Sequence, residues 1–228
     1  MLSEVPAVAK TFLQLVNYVL TSLREDTVLG FTESYAAMIA QMVNDAKEDV
    51  EDSGPWRALR TAVSVAATSG NATTTLTSTN PRSYIMYGGD LQAQFFRTDA
   101  GHEAQILVVG IEVLRQYQNS AAAADSQPSF AAFTTDGTNL VCHFWPTPDA
   151  TYNYRGIFVI PQAELSATTD TLTIPWRPVA RQAVFYAMDE RGSEFSGRLE
   201  TEAAKAKSAL DGAIAADFGL DEITAQEQ

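Results

Sequence analysis

The apolar period changes twice along this 228-residue chain, and that change constrains the fold more than any single motif. Over residues 8–23, Phe12, Leu15, Val16, Val19, Leu20 and Leu23 recur at steps of three and four, one stripe of an amphipathic helix that Gly30 then interrupts. A second stripe, Tyr35, Met38, Ile39, Met42, Val43, Ala46 and Val50, predicts a helix with Thr32 as its N-cap and Gly54-Pro55 as its stop. From residue 61 to 174 Thr, Val, Tyr and Phe dominate, with only four Arg and no Lys, a texture of short strands and turns. The helical period then returns. Pro178 suits the first turn of a helix running to about Arg191-Gly192. A last helix over 194–216 carries Phe195, Leu199, Ala203, Ala206, Leu210, Ala213 and Ile214 on or near one side.

Within the middle region, residues 61–65 and 91–95 alternate as strands do, with Gly88-Gly89 as a turn before the second. Asp136-Gly137 predicts a hairpin, because both residues tolerate the positive φ of a type I′ turn. Behind it Leu140, Cys142 and Phe144 alternate with Val141, His143 and Trp145, so one set faces a core. Residues 106–109 read as strand and 112–118 as a short helix.

The expected fold class is therefore α+β: a helical bundle formed by N- and C-terminal helices, with an inserted antiparallel β-rich domain of sandwich or barrel type. Residues 1–60 supply the first helices of the bundle, 61–175 the insertion and 176–217 the last helices. Residues 218–228 form a flexible acidic tail.

Charge narrows the partners. The chain has 28 Asp and Glu against 15 Lys and Arg, a formal charge of −13 and a pI near 4.5. The acid is spread evenly, with five basic against nine acidic residues in 1–60, four against nine in 61–175, and six against ten in 176–228. Such a field repels nucleic acid and anionic membranes. The single Cys142 excludes an internal disulfide, and its inward register makes it a small buried hydrophobe. No stretch reaches 18 apolar residues and no signal-peptide pattern opens the sequence, so the expectation is a protein made in a cytoplasm without a membrane partner.

Chemistry-bearing motifs are sparse. The sequence has no Walker loop, no GxGxxG, no HExxH and no GxSxG elbow. His102 and His143 read as surface or satisfied strand histidines rather than metal ligands, and neither completes a hydrolytic triad. The run Asp45, Glu48, Asp49, Glu51 and Asp52, in which Asp45, Glu48, Asp49 and Asp52 share a helix face with Lys47 among them, reads as a solvated side rather than a carboxylate or cation site. Trp145, Tyr152, Tyr154 and Trp176 offer faces for sugar stacking, but core and rim packing of a β domain explains them equally well. No cofactor, no metal site and no catalytic residue is expected.

An ordered constellation is more specific. The helix segment 43–50 leads to Trp56-Arg57-Ala58-Leu59-Arg60 and a Thr/Val-rich strand. Then come Gln127-Pro128-Ser129-Phe130, the Asp136-Gly137 hairpin and Phe144-Trp145-Pro146-Thr147-Pro148-Asp149, with Tyr152 and Tyr154 close behind. Ile160-Pro161, Leu165 and a Pro175-started helix to Glu190-Arg191-Gly192 complete it. Over most of residues 35–195 the chain resembles the head–tail adaptor (connector) proteins of tailed bacteriophages, including the tail tubular proteins of short-tailed phages.

The resemblance implies a structural virion protein, not an enzyme. It implies a homo-oligomeric ring of about twelve subunits between the portal protein and the tail or nozzle proteins, around a channel for genomic DNA. It also implies a C-terminal segment reaching the portal, where the apolar Phe218, Leu220 and Ile223 are the expected docking residues. Acidic walls suit such a channel because they deny phosphates a counter-charge. Other readings are a tail tube or tail-completion component, a glycan-binding module, and an acidic hydrolase using a carboxylate pair.

Overall fold

The computed structural model describes residues 9–86, 95–98, 104–120 and 124–225, with backbone alone at 104, 120, 193, 196 and 218–225. In chain order its elements are α1 (Phe12–Ser22), α2 (Ser34–Asp52), β1 (Arg60–Ala67), β2 (Thr73–Leu76), β3 (Tyr84–Ile85), β4 (Phe95–Arg97), β5 (Ala104–Gln105), β6 (Leu107–Val108), α3 (Ile111–Ser120), β7 (Phe130–Thr135), β8 (Leu140–Trp145), β9 (Tyr152–Val159), α4 (Trp176–Glu190) and α5 (Ser196–Ala225). The fold class is α+β, with terminal helices flanking a β-rich middle. Two compact units result: a helical unit from the two ends of the chain, up to Ala58 and from Gln162, and a β unit, Leu59–Pro161.

In the helical unit α1 starts at a capping box. Thr11 Oγ1 accepts the Gln14 N–H at 3.3 Å and Gln14 Oε1 accepts the Thr11 N–H at 3.1 Å, satisfying two donors that a helix start leaves open. All six residues of its apolar stripe are buried, each contributing about 1.5–3 kcal/mol relative to exposure. Helix α2 begins after Glu33, which makes no side-chain cap, so the expected cap at Thr32 is not used. Its C-terminal Val50 carbonyl accepts both the Ser53 hydroxyl and the Trp56 indole N–H, each at 2.6 Å, so a buried aromatic finishes the helix. Helix α4 opens at Pro175 and carries Pro178 in its first turn, where an N–H would have no intrahelical acceptor. Helix α5 runs nine residues beyond the expected end at Ala216, to Ala225.

The β unit is built from two sheets. In the first, β9 pairs antiparallel with all of β1, from Arg60 opposite Val159 to Ala67 opposite Tyr152. Its other edge takes β4 and β3, and β5 pairs with β4. The second sheet runs β2-β8-β7-β6, with β6 parallel to β7. Inward positions of both sheets meet in one core: Val63, Val65, Leu76, Ile85, Phe95, Leu140, Cys142, Phe144, Tyr154 and Phe158 among others. Aromatic rings cross it as a chain. Phe144 stacks on Tyr154 at 5.5 Å, Tyr154 on Phe95 at 5.4 Å, and Phe133 meets Phe95 and Phe158 edge-on. Each such pair adds about 0.5–1.5 kcal/mol to the area it buries.

The β7–β8 hairpin turns through four residues, since Thr135 faces Leu140. Gly137 has φ +93°, but Asp136 does not enter the positive region, so the expected type I′ turn is replaced by one closed by the Asp136 side chain. Its Oδ1 accepts the N–H of Thr138 and Asn139, both at 2.8 Å. Residues 91–94 of the second expected strand and the Gly88-Gly89 turn lie outside the described residues; Phe95 begins β4.

Candidate functional site

Asn44, Lys47 and Glu51 form a buried polar ladder on α2, following the same steps of three and four as Val43, Ala46 and Val50 but one residue on. All three hold the segment by which the chain re-enters the helical unit. Asn44 Oδ1 accepts the Leu165 N–H and its Nδ2 donates to the Leu165 carbonyl, both at 3.0 Å. Lys47 Nζ donates to the Gln162 carbonyl at 2.7 Å, and Glu51 Oε1 accepts the Gln162 N–H at 3.1 Å. Lys47 and Glu51 also pair with each other at 3.3 Å. The Gln162 side chain passes the register on, bonding the Thr171 carbonyl and the Thr173 N–H. Residues 168–172 in turn bond the start of α1, through Leu13 N–H to Thr168, Phe12 N–H to Asp170 and Leu172 N–H to Lys10.

This corrects the sequence reading at two positions. Asp45, Glu48, Asp49 and Asp52 are exposed as expected of a solvated side, but Lys47 and Glu51 are not part of it. The signal was present in the spacing: polar residues that track a core stripe one position behind widen the buried face rather than oppose it.

A second charged cluster joins α4 to α5. The Glu202 carboxylate is 4% exposed and faces Lys205 Nζ at 2.7 Å, Arg181 at 3.5 Å and Arg198 at 3.9 Å, so positive charge is in excess around it. Beside it lies a groove of about 1040 Å³ lined by Tyr18, Trp176, Arg177, Arg181 and Lys205 together with small residues of α5. Lys10 sits over the Trp176 ring at 5.6 Å and Arg181 over Tyr18 at 5.8 Å.

The aromatic candidates are engaged within the protein. Trp145 packs with Tyr117 of α3 at 5.3 Å and with Phe130 at 5.8 Å, Arg97 covers Tyr152 at 4.6 Å, and Tyr154 is in the core. These are the rim and core roles expected of a β domain. Cys142 is fully buried, and burial pushes its thiol well above the usual value, which removes thiolate reactivity. His143 is half-buried and bonds Thr134 Oγ1 at 2.8 Å; His102 lies outside the described residues. Among the described residues no group of three or more His, Cys, Asp or Glu is placed to hold a metal ion, and no helix is long and apolar enough to cross a membrane.

Phe218, Leu220 and Ile223 belong to α5 by their backbone, and their side chains lie outside the described residues. The helical frame reaching past them matters because of where the family signature ends. A protein-family model described as SU10 adaptor protein matches residues 10–225. The chain belongs to that family. The match opens two residues before α1 and closes with the last residue of α5, so the β insertion and the whole of α5 lie within it. This SU10-type adaptor is thus a phage head–tail adaptor by family, a structural component of a virion, and its family points to head and tail components as partners. No curated protein matches the chain.

Proposed function

We propose that this adaptor assembles as a ring of about twelve copies between the portal and the tail, around a channel through which the genome passes. The family match over residues 10–225 carries this reading. Charge supports the channel: a subunit of formal charge −13, multiplied around a ring, gives walls that do not bind phosphate, so DNA slides without grip. The charged ladder on α2 supports a rigid bundle, since it ties the chain's return segment to the helix that precedes the insertion.

The portal contact is assigned to the end of α5, with Phe218, Leu220 and Ile223 as docking residues. The helical backbone through Ala225 favours helix-mode docking, in which positions three apart, such as 220 and 223, share a face.

The test mixes the purified adaptor with the portal ring encoded in the same genome and examines the product by size exclusion and negative-stain microscopy. A second ring stacked on the portal is expected. Failure to bind an intact portal, with binding to a tail protein instead, moves the assignment to a tail-completion component. Deletion of residues 218–228 should abolish portal binding; unchanged affinity would show that the α5 terminus is not the contact.

A further inference from the structure

The helical unit carries two surfaces of opposite charge on different sides of α4. On one side, α2 exposes Asp45, Glu48, Asp49 and Asp52, and the Tyr186 hydroxyl of α4 bonds Asp49. On the other, Arg181 of α4 reaches Glu202 of α5 at the groove that Trp176, Arg177 and Lys205 also line. Positions 181 and 186 lie about 140° apart around a helix, so the two surfaces do not overlap.

We propose that the acidic face of α2 in one copy seats in the cationic groove of the next copy, and that this head-to-tail contact closes the ring; it rests on the ring reading above. A heterologous interface needs two different, complementary patches on one chain, and these two satisfy that requirement. The spacing agrees. Asp45 and Asp49, like Glu48 and Asp52, are one turn apart, and so are Arg177 and Arg181, a separation of about 6 Å in each case. Along the groove α5 presents Ala204, Ser208, Ala209, Gly212 and Ala213, whose small side chains let another helix approach closely. Arg177 is exposed and makes no ion pair among the described residues, so its charge is available to a partner. The competing occupant is DNA. A neighbouring copy carries the same formal charge of −13, so the long-range field opposes both, and what favours the chain is local: its carboxylate face meets the cations of the groove and its helix meets the small residues of α5.

Charge exchange tests the proposal. Arg177→Glu in the groove and the pair Asp45→Arg/Asp52→Arg on α2 are made separately and together, with circular dichroism confirming the fold. Ring formation on the portal is then followed by sedimentation velocity in about 0.15 M salt. Each reversal alone should weaken assembly about tenfold or more, and the combined chain, with both charges exchanged, should regain most of it. Singles that assemble like the natural sequence, or a combined chain no better than the singles together, would overturn the contact while leaving the ring reading intact. An unaltered chain that never forms a ring beside an intact portal would sink the ring reading first. Duplex DNA binding that Arg177→Glu abolishes, with assembly unchanged, would reassign the groove to nucleic acid.

Discussion

Lys47 and Glu51 stand one turn apart on α2 as an ion pair with both side chains 0% exposed, and each also bonds the backbone of Gln162. Two charges taken out of water are tolerated here because every partner is met within the fold: the ammonium by a carboxylate and a carbonyl, the carboxylate by the ammonium and an amide N–H. Their arrangement fixes the register of one backbone position against the helix. An apolar pair would fill the same space without reading the chain's return.

Removing one partner leaves the other as a buried, uncompensated charge. Lys47→Ala and Glu51→Ala should each lower unfolding stability by about 3–5 kcal/mol, read from urea unfolding followed by circular dichroism. The double replacement Lys47→Met/Glu51→Leu should cost far less than the two singles together, because no charge is stranded. Additive losses in the double variant would mean that the two residues act separately.

Asn44 tests the same ladder without charge. Its amide satisfies both backbone groups of Leu165 in a buried setting. Asn44→Leu strands both and should cost about 1–3 kcal/mol per group left unsatisfied. Asn44→Asp keeps the acceptor, loses the donor and buries a carboxylate near Glu164, so it should be at least as damaging at neutral pH and recover partly in acid. Equal midpoints for the natural and Leu chains would show that water reaches Leu165.

How much of this was legible depended on whether a residue's neighbours were local. The α1 stripe, the α2 core positions Ile39, Val43, Ala46 and Val50, and the inward set Leu140, Cys142 and Phe144 are all buried as their periods indicate, because helix and strand geometry alone decides which positions share a face. The spacing set Lys47 and Glu51 beside the core stripe, but their charge, like that of Glu202, argued for solvent and prevailed in the sequence reading. Their partners, the backbone at Gln162 and the guanidinium of Arg181, lie 115 and 21 residues away, and a charge type by itself says solvent. The Thr32 cap and the type I′ turn failed on local detail: α2 starts behind Glu33, which makes no side-chain cap, and the Asp136 side chain closes the hairpin turn. The functional assignment came from order along the chain, not from any catalytic signature.

Gly137 is the one turn position in β7–β8 where the backbone demands a particular residue. Its φ of +93° lies where L side chains are strained, although a Cβ there would meet nothing within 4 Å. The cost of Gly137→Ala is therefore conformational rather than steric, about 1–2 kcal/mol, and it should appear in stability without altering the unfolding slope. Gly137→Asn should recover part of the loss, since Asn enters the left-handed region more readily. No difference between Ala and Asn would indicate that the turn rearranges.

His143 gives the fold a pH dependence of definite sign. Burial, and secondarily the positive charge of Arg115, hold its imidazole below the usual histidine value. The unfolded chain then binds the proton more readily than the folded one, so stability rises with pH through this window. The contribution is fully present above about pH 6.5 and is lost as the pH falls from there through the depressed folded value. Asp136 and Asp170, both held below the usual carboxylate range by backbone N–H bonds, titrate lower still and act only in stronger acid. Urea midpoints measured at pH 7.5 and 5.5 should therefore differ more for the natural chain than for His143→Gln, which keeps a polar group opposite Thr134 but cannot take the proton. An identical drop in both would place the titrating group elsewhere.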